Sequence, residues 1–97
     1  MPVFFIVHVE IPDHRERGSY DEYIAKVKPV VESHGGKYII RSEHVSLWAG
    51  THKPDRIIVI EFGNKEQMEK CFSSPEYTSV KGLRENSVKT NAFIVVP

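Results

Sequence analysis

Residues 55–62 read DRIIVIEF, and the fold turns on how this run is placed. Ile57 to Ile60 are four consecutive aliphatics, the pattern of a strand covered on both sides. Glu61 then stands between Ile60 and Phe62. A carboxylate in a core strand needs an explanation, and the strand needs neighbours.

The neighbours follow from local patterns. Val3 to Val9, VFFIVHV, are β-branched and aromatic and too short a run for a helix, so they form strand one. Pro12, Asp13 and Gly18 break the pattern, and His14, Arg15, Glu16 and Arg17 read as a solvated loop. Residues 19–36, SYDEYIAKVKPVVESHGG, are a helix. Ser19 is placed to cap it, with Glu22 completing a capping box. Tyr20, Tyr23, Ile24, Val27, Val30, Val31 and His34 recur at helical spacing. Gly35 and Gly36 supply the left-handed stop. Pro29 removes the bond to the Ala25 carbonyl and predicts a kink.

Residues 37–48, KYIIRSEHVSLW, read as strand two, with a bulge expected near Ser42 and Glu43 where the alternation stumbles. AGTHKPD is a turn, and Arg56 to Phe62 are strand three. Asn64 opens a second helix, with Gln67 placed as in a capping box and Met68, Cys71 and Phe72 on its inner face. Ser74-Pro75 restarts it, serine as cap and proline at the first helical position. Tyr77, Val80 and Leu83 then point one way, and Asn91 to Val96 form strand four.

The order is β-α-β-β-α-β, a single ferredoxin-like α+β domain over residues 1–97. Strands one and three are expected side by side and parallel in the centre of a four-stranded sheet, with two and four flanking them and both helices on one face. In the two central strands both side-chain sets are mostly apolar: Val3, Phe5, Val7, Val9 against Phe4, Ile6, His8, and Ile58, Ile60, Phe62 against Ile57, Val59, Glu61. The helices cover one face only. A homodimer, sheet against sheet, would cover the other and make a dimeric α+β barrel.

Composition narrows the function classes. Thirteen Lys and Arg balance thirteen Asp and Glu, and no basic stripe appears, which argues against nucleic acid. The single cysteine, Cys71, excludes an internal disulfide and fits a reducing compartment. The apolar N-terminal run is short, lacks a preceding Lys or Arg, and is interrupted by His8 and Glu10, so neither a signal peptide nor a membrane span is expected. The reading is of a cytoplasmic protein.

The stretches YDEYIAKVKPVVESHGGKYIIR, KPDRIIVIEF after Trp48, and SSPEY with Arg84 beyond it resemble, in that order, the family catalogued as domain of unknown function 1330, within the dimeric α+β-barrel superfamily. The resemblance covers most of the chain from Tyr20 onward. It implies a ferredoxin-like protomer whose sheets form a barrel across a dimer. It implies no reaction, since the family has no agreed activity. The wider superfamily includes cofactor-independent monooxygenases, isomerases, dehydratases and haem-handling enzymes. One departure, Cys71-Phe72 before SSPEY where the family pattern has aromatics, bears on the shape of a pocket wall.

Candidate chemistry gathers on few residues. If strands one and three run parallel, His8 and Glu61 lie together at their C-terminal ends, on the barrel-interior face, with His44 opposite Glu61. A carboxylate desolvated among Ile and Val beside an imidazole suits general acid–base work. The other reading of the two is structural: strand-end residues hydrogen-bonded to each other or to solvent across the dimer. Two histidines and a carboxylate also suggest a metal, but no metal-binding spacing supports one, and no cofactor is expected. Arg41 could clamp a ligand carboxylate, or pair with Glu43 or Glu32. Trp48 and Tyr77 could line a pocket, or pack in the core or at an interface. Tyr20 and Tyr23 face the sheet, Cys71 is a packed thiol, and Arg84 bonds either the helix end or a ligand mouth.

Two functions remain open on the sequence. One is a small-molecule-binding protein or cofactor-independent enzyme, monooxygenase- or isomerase-like, acting on a small, partly apolar metabolite between sheet and helices. The other is a non-catalytic module whose sheet face serves only dimerisation.

Overall fold

The computed structural model describes residues 1–13 and 17–97; His14, Arg15 and Glu16, expected in a solvated loop, lie outside them. The elements are β1 (Val3–Glu10), α1 (Gly18–Ser33), β2 (Lys37–Ser42), β3 (Arg56–Phe62), α2 (Lys65–Phe72), α3 (Pro75–Glu85) and β4 (Lys89–Val95). This is the ferredoxin-like order, with the second helix broken in two at Ser73-Ser74.

The helix ends show why the chain folds this way. α1 ends on a Schellman arrangement: Gly36 N donates to Val31 O at 2.9 Å and Gly35 N to Glu32 O at 3.1 Å, with Gly35 at φ 82°. Gly36 has a second duty, because a Cβ there would lie 2.5 Å from Val31 Cγ1 and 2.9 Å from Phe62 Cε1. Asn64 caps α2, its Oδ1 accepting from Gln67 N at 2.7 Å, while Gln67 Oε1 accepts from Gly63 N at 2.9 Å. Ser74 caps α3 and Pro75 begins it. The start of α1 differs from expectation. The helix already includes Gly18 and Ser19, and its cap residue, Arg17, makes no side-chain cap bond. Pro29 lies inside the continuous helix.

The sheet order is β2-β3-β1-β4 and every neighbouring pair is antiparallel. This corrects the parallel placement of strands one and three. A right-handed crossover makes β1 and β2 parallel, but they are not adjacent. β3 returns between them from β2 and so must run against both.

The register then sorts the two faces. Val3, Val7 and Val9 of β1 and Arg56, Ile60 and Phe62 of β3 are buried, and the apolar ones join Tyr20, Tyr23, Val27 and Val31 of α1, Met68 and Cys71 of α2, and Tyr77 and Val80 of α3 in one core. The opposite face carries Phe4, Ile6 and His8, Ile57, Val59 and Glu61, and Phe93 and Val95, which no helix covers. Phe93 and Val95 are exposed, and the His8 ring meets Phe93 edge-on at 5.5 Å. The central strands are apolar on both faces while the chain covers one of them.

β2 is shorter than expected. Its bulge falls between Tyr38 and Ile40, and the strand ends at Ser42. The reason is Glu43. Its carboxylate accepts from Arg17 NH1 and NH2 at 2.7 and 2.9 Å and from Arg56 NH1 at 3.3 Å, which draws the chain out of the sheet. The segment from Glu43 to Asp55 has no regular structure. Its far end is held by Asp55, whose Oδ2 accepts from Ile11 N at 2.7 Å and whose N donates to Val9 O at 2.9 Å.

The Arg17 hydrogen bond holds the Glu43 carboxyl below its ordinary range, against a smaller opposing effect of burial. Such a group stabilises the fold above the ordinary carboxylate pKa, and the contribution disappears as pH falls through the lowered folded value. Glu43→Gln should therefore reduce stability at neutral pH by ~1 kcal/mol or less, given its partial exposure. Urea denaturation of both proteins should show the gap closing as pH falls below the ordinary carboxylate range; a pH-independent gap would exclude the ion pair as its source.

Candidate functional site

Tyr20, Tyr23, Val27 and Val31 are spaced by three and four residues, so α1 presents them together to the sheet. The Tyr20 and Tyr23 rings lie 6.0 Å apart and nearly parallel. From the other side comes Tyr77, fixed at the start of α3 because its N donates to the Ser74 Oγ cap at 3.2 Å. The Tyr23 and Tyr77 hydroxyls meet at 3.1 Å. Phe72, at the end of α2, stacks on Phe5 at 4.5 Å and meets Tyr77 edge-on at 5.0 Å.

These side chains do not fill the space they enclose. A cavity of about 180 Å³ lies between α1, α3 and the sheet, walled by Tyr20, Tyr23, Tyr38, Phe72, Tyr77 and Arg84. Its floor is aliphatic, with Val7, Ile58 and Ile60 among the strand residues. Arg84 Cζ stands 6.0 Å from the centre of the Tyr23 ring. Phe5, Phe72, Tyr77 and Arg84 also line an open groove on the outer side, beside Met68, Glu69, Lys81 and Glu85. These four residues are thus the partition between the cavity and the surface.

Burial sets the protonation of this wall. It raises the Tyr23 phenol, with the nearby Tyr77 adding to the effect. It raises Tyr20 against the opposing charge of Arg56, and pushes Tyr38 up to about 12. At neutral pH these groups are intact hydroxyls. Burial works against the charge of Arg84, but the Tyr77 and Tyr23 oxygens outweigh it and hold its pKa above the ordinary value. The site therefore offers neutral hydroxyls and one fixed cation in an apolar setting. That chemistry can hold and polarise an oxygen atom of a ligand. Tyr20 Oη and Thr90 Oγ1, both of cavity-wall residues, are buried without a hydrogen-bond partner among the described residues. Each such group costs roughly 1–3 kcal/mol.

The residues singled out from the sequence divide between two regions. Tyr77 is in the cavity wall, and Tyr20 and Tyr23 face the sheet as their spacing predicts. His8 and Glu61 share the uncovered sheet face, but the antiparallel register separates them. His8 pairs with Ile57, while Glu61 pairs with Phe4 and Lys37, a displacement of four residues or ~13 Å along the strand. The expected meeting of the two within one chain is corrected accordingly. His44 lies beyond the Ser42–Ile57 pair, at the His8 end, and its N donates to Ser42 Oγ at 2.9 Å. It is not opposite Glu61.

Arg41 lies on the helix side, its Cζ 4.8 Å over the Tyr38 ring; Glu43 instead pairs with Arg17 and Arg56. Trp48 is 98 % exposed in the segment after β2 and lines neither the cavity nor the groove. Cys71 is fully buried, and burial raises its thiol to about 11, which makes it unreactive. Among the described residues no three His, Cys, Asp or Glu side chains cluster as a metal site requires.

Sequence reasoning missed Thr90 and the buried Arg56. Arg56 is 7 % exposed. The signal for it was its two-residue spacing from Ile58, Ile60 and Phe62 on the core face.

The family of a domain of unknown function, DUF1330, matches residues 2–96. The chain belongs to the DUF1330 family. No curated protein matches it in sequence. Solved structures share its fold. RPA0582, a protein of unknown function from Rhodopseudomonas palustris, has a TM-score of 0.80 at 19% identity, over 99% of this chain and 82% of that one. A dimeric ferredoxin-like protein of unknown function from Jannaschia sp. CCS1 has a TM-score of 0.83 at 10% identity, with both chains fully covered. SnoaB from Streptomyces nogalater, a cofactor-independent oxygenase, has a TM-score of 0.72 at 6% identity, over 99% of this chain and 92% of that one.

Within this DUF1330 protein the Tyr23–Tyr77 bond joins α1 to α3 across the top of the cavity. Tyr23→Phe or Tyr77→Phe should each cost about 1 kcal/mol by leaving a buried hydroxyl without its partner, while the double variant should cost clearly less than the sum. Equilibrium unfolding of the four proteins gives the coupling directly; strict additivity would show that the two hydroxyls do not interact.

Proposed function

We propose that this DUF1330 protein is a homodimer that binds a small, partly apolar molecule in the cavity between helices and sheet, as a binding protein or as a cofactor-independent enzyme of monooxygenase or isomerase type. The observation that carries the reading is the unfilled, tyrosine-walled cavity. A small protein gains stability by filling its core, so an apolar space edged by hydroxyls and a cation calls for an occupant. The likeness to SnoaB supports the enzyme form at the level of the fold alone.

The homodimer rests on the uncovered sheet face. Phe4, Ile6, Val59, Phe93 and Val95 form a contiguous apolar surface, and the likeness to a dimeric ferredoxin-like protein supports a second copy as its cover. His8 and Glu61 then belong to the dimer face and not to the cavity. An acid–base role for them would take the form of Glu61 from one subunit set against His8 of the partner subunit. The lone thiol fits a reducing, cytoplasmic setting, and no helix among the described residues is long and apolar enough to cross a membrane.

Two experiments test the two halves. Sedimentation of the native chain should give a dimer, and Phe93→Glu should give a folded monomer, because a carboxylate cannot be buried in an apolar interface without a partner; a native monomer would remove the assembly. Toluene, a one-ring probe, should raise the melting temperature of the native protein and show contacts to the Tyr23 and Tyr77 rings by NMR. No binding up to saturation would favour the second reading, a module whose sheet face serves dimerisation only.

A further inference from the structure

Among the described arginines Arg41 and Arg84 make no ion pair, and of the two only Arg84 lines the cavity. Arg17 and Arg56 both reach Glu43, and Arg17 also bonds Asp21 at 3.0 Å. Arg84 is half-buried, and among the described residues no carboxylate lies within ion-pair distance of it. Its near neighbours on the cavity side are the Tyr23 and Tyr77 phenols. In the groove outside, Lys81 offsets one of the two carboxylates, Glu69 and Glu85, so the mouth carries no net negative charge with Arg84 included. A cation held against apolar walls gains most from an anion, because attraction there is weakly screened and the bond is charge-assisted.

Size limits the rest of the occupant. Apolar protein cavities of ~150 Å³ accept a benzene molecule. The cavity here is about 180 Å³, room for one ring and not for two. Its walls are aromatic and aliphatic except at the Arg84 end and at the tyrosine hydroxyls. Since Arg84 lines both the cavity and the groove, a ligand with its ring inside places its polar head at the partition, where Arg84 and the Tyr77 hydroxyl stand.

We propose that the occupant is a one-ring-sized organic acid, its apolar body among Tyr23, Phe72 and the strand floor and its carboxylate on Arg84. This rests on the cavity reading above and adds the charge of the ligand to it. Arg84 is on this view a binding residue that selects for an anion, beyond the favourable place that any cation has in the last turn of α3.

The test compares benzoate with benzamide, which has nearly the same shape and no charge, using toluene as the uncharged control. Titrations followed by NMR on the native protein should show benzoate binding at least ~10-fold more tightly than benzamide. Arg84→Gln should abolish that preference while toluene still binds, and Arg84→Lys should retain part of it. Equal binding of benzoate and benzamide, with toluene bound, would overturn the acid assignment and leave the cavity reading standing. A preference that survives in Arg84→Gln would overturn the role of Arg84. Failure of all three probes to bind the native protein would overturn both readings. The native benzoate-to-benzamide ratio is informative even if a variant does not fold.

Discussion

The antiparallel pairing of β1 with β3 is the constraint on which the rest depends. It puts two strands that are apolar on both sides at the centre of a sheet that has helices on one side only. The helix side becomes the core. The other side becomes an apolar surface that the chain itself does not cover. The same pairing places Phe5 and Val7 beside Ile60 and Ile58 under the helices, which builds the cavity floor. It also places His8 and Glu61 at opposite ends of the bare face. Fold, assembly surface and ligand space all follow from this one register.

The cavity exists because its walls are built from aromatic side chains held at fixed points. Tyr77 is set by the Ser74 cap, Tyr20 and Tyr23 by their helical spacing, and Phe72 by its stack on Phe5. Rings of this size bridge α1 and α3 without collapsing into the space between them. The Tyr23–Tyr77 hydroxyl pair consumes polar capacity that would otherwise be unsatisfied, whereas the Tyr20 and Thr90 hydroxyls find no partner among the described residues. A core that sacrifices packing at one place and polar satisfaction at another departs from what stability alone favours. Among the described residues, two of the three buried side-chain polar atoms without a partner lie in this site, the third being Arg56 Nε.

Much of the fold was legible because its signals are local. Gly35-Gly36, Asn64 with Gln67, and Ser74-Pro75 each prescribe a backbone event within a few residues, and each event occurs. The expected Ser19 cap does not form, because the helix already starts at Gly18 with Arg17 as its cap residue, and Arg17 is bound to Glu43. Arg17 and Glu43 are 26 residues apart, and no local rule announces that they meet. The same contact ends β2 six residues earlier than the strand pattern suggests. The parallel placement of the central strands failed differently. The crossover rule applies to β1 and β2, and β3 returns between them, so the antiparallel direction was implied by the order already read.

The sequence by itself determined the element order, the helix stops, the inner faces of the helices and the surplus of apolar surface on the central strands, because these depend on residue type and spacing alone. The tertiary structure decided which candidates meet. Direction and register of the strands parted His8 from Glu61. Packing of α1 against α3 brought Tyr23 to Tyr77 and set Arg84 at the mouth of a cavity. Such juxtapositions depend on distances between residues more than fifty positions apart, and no pattern within a short window encodes them.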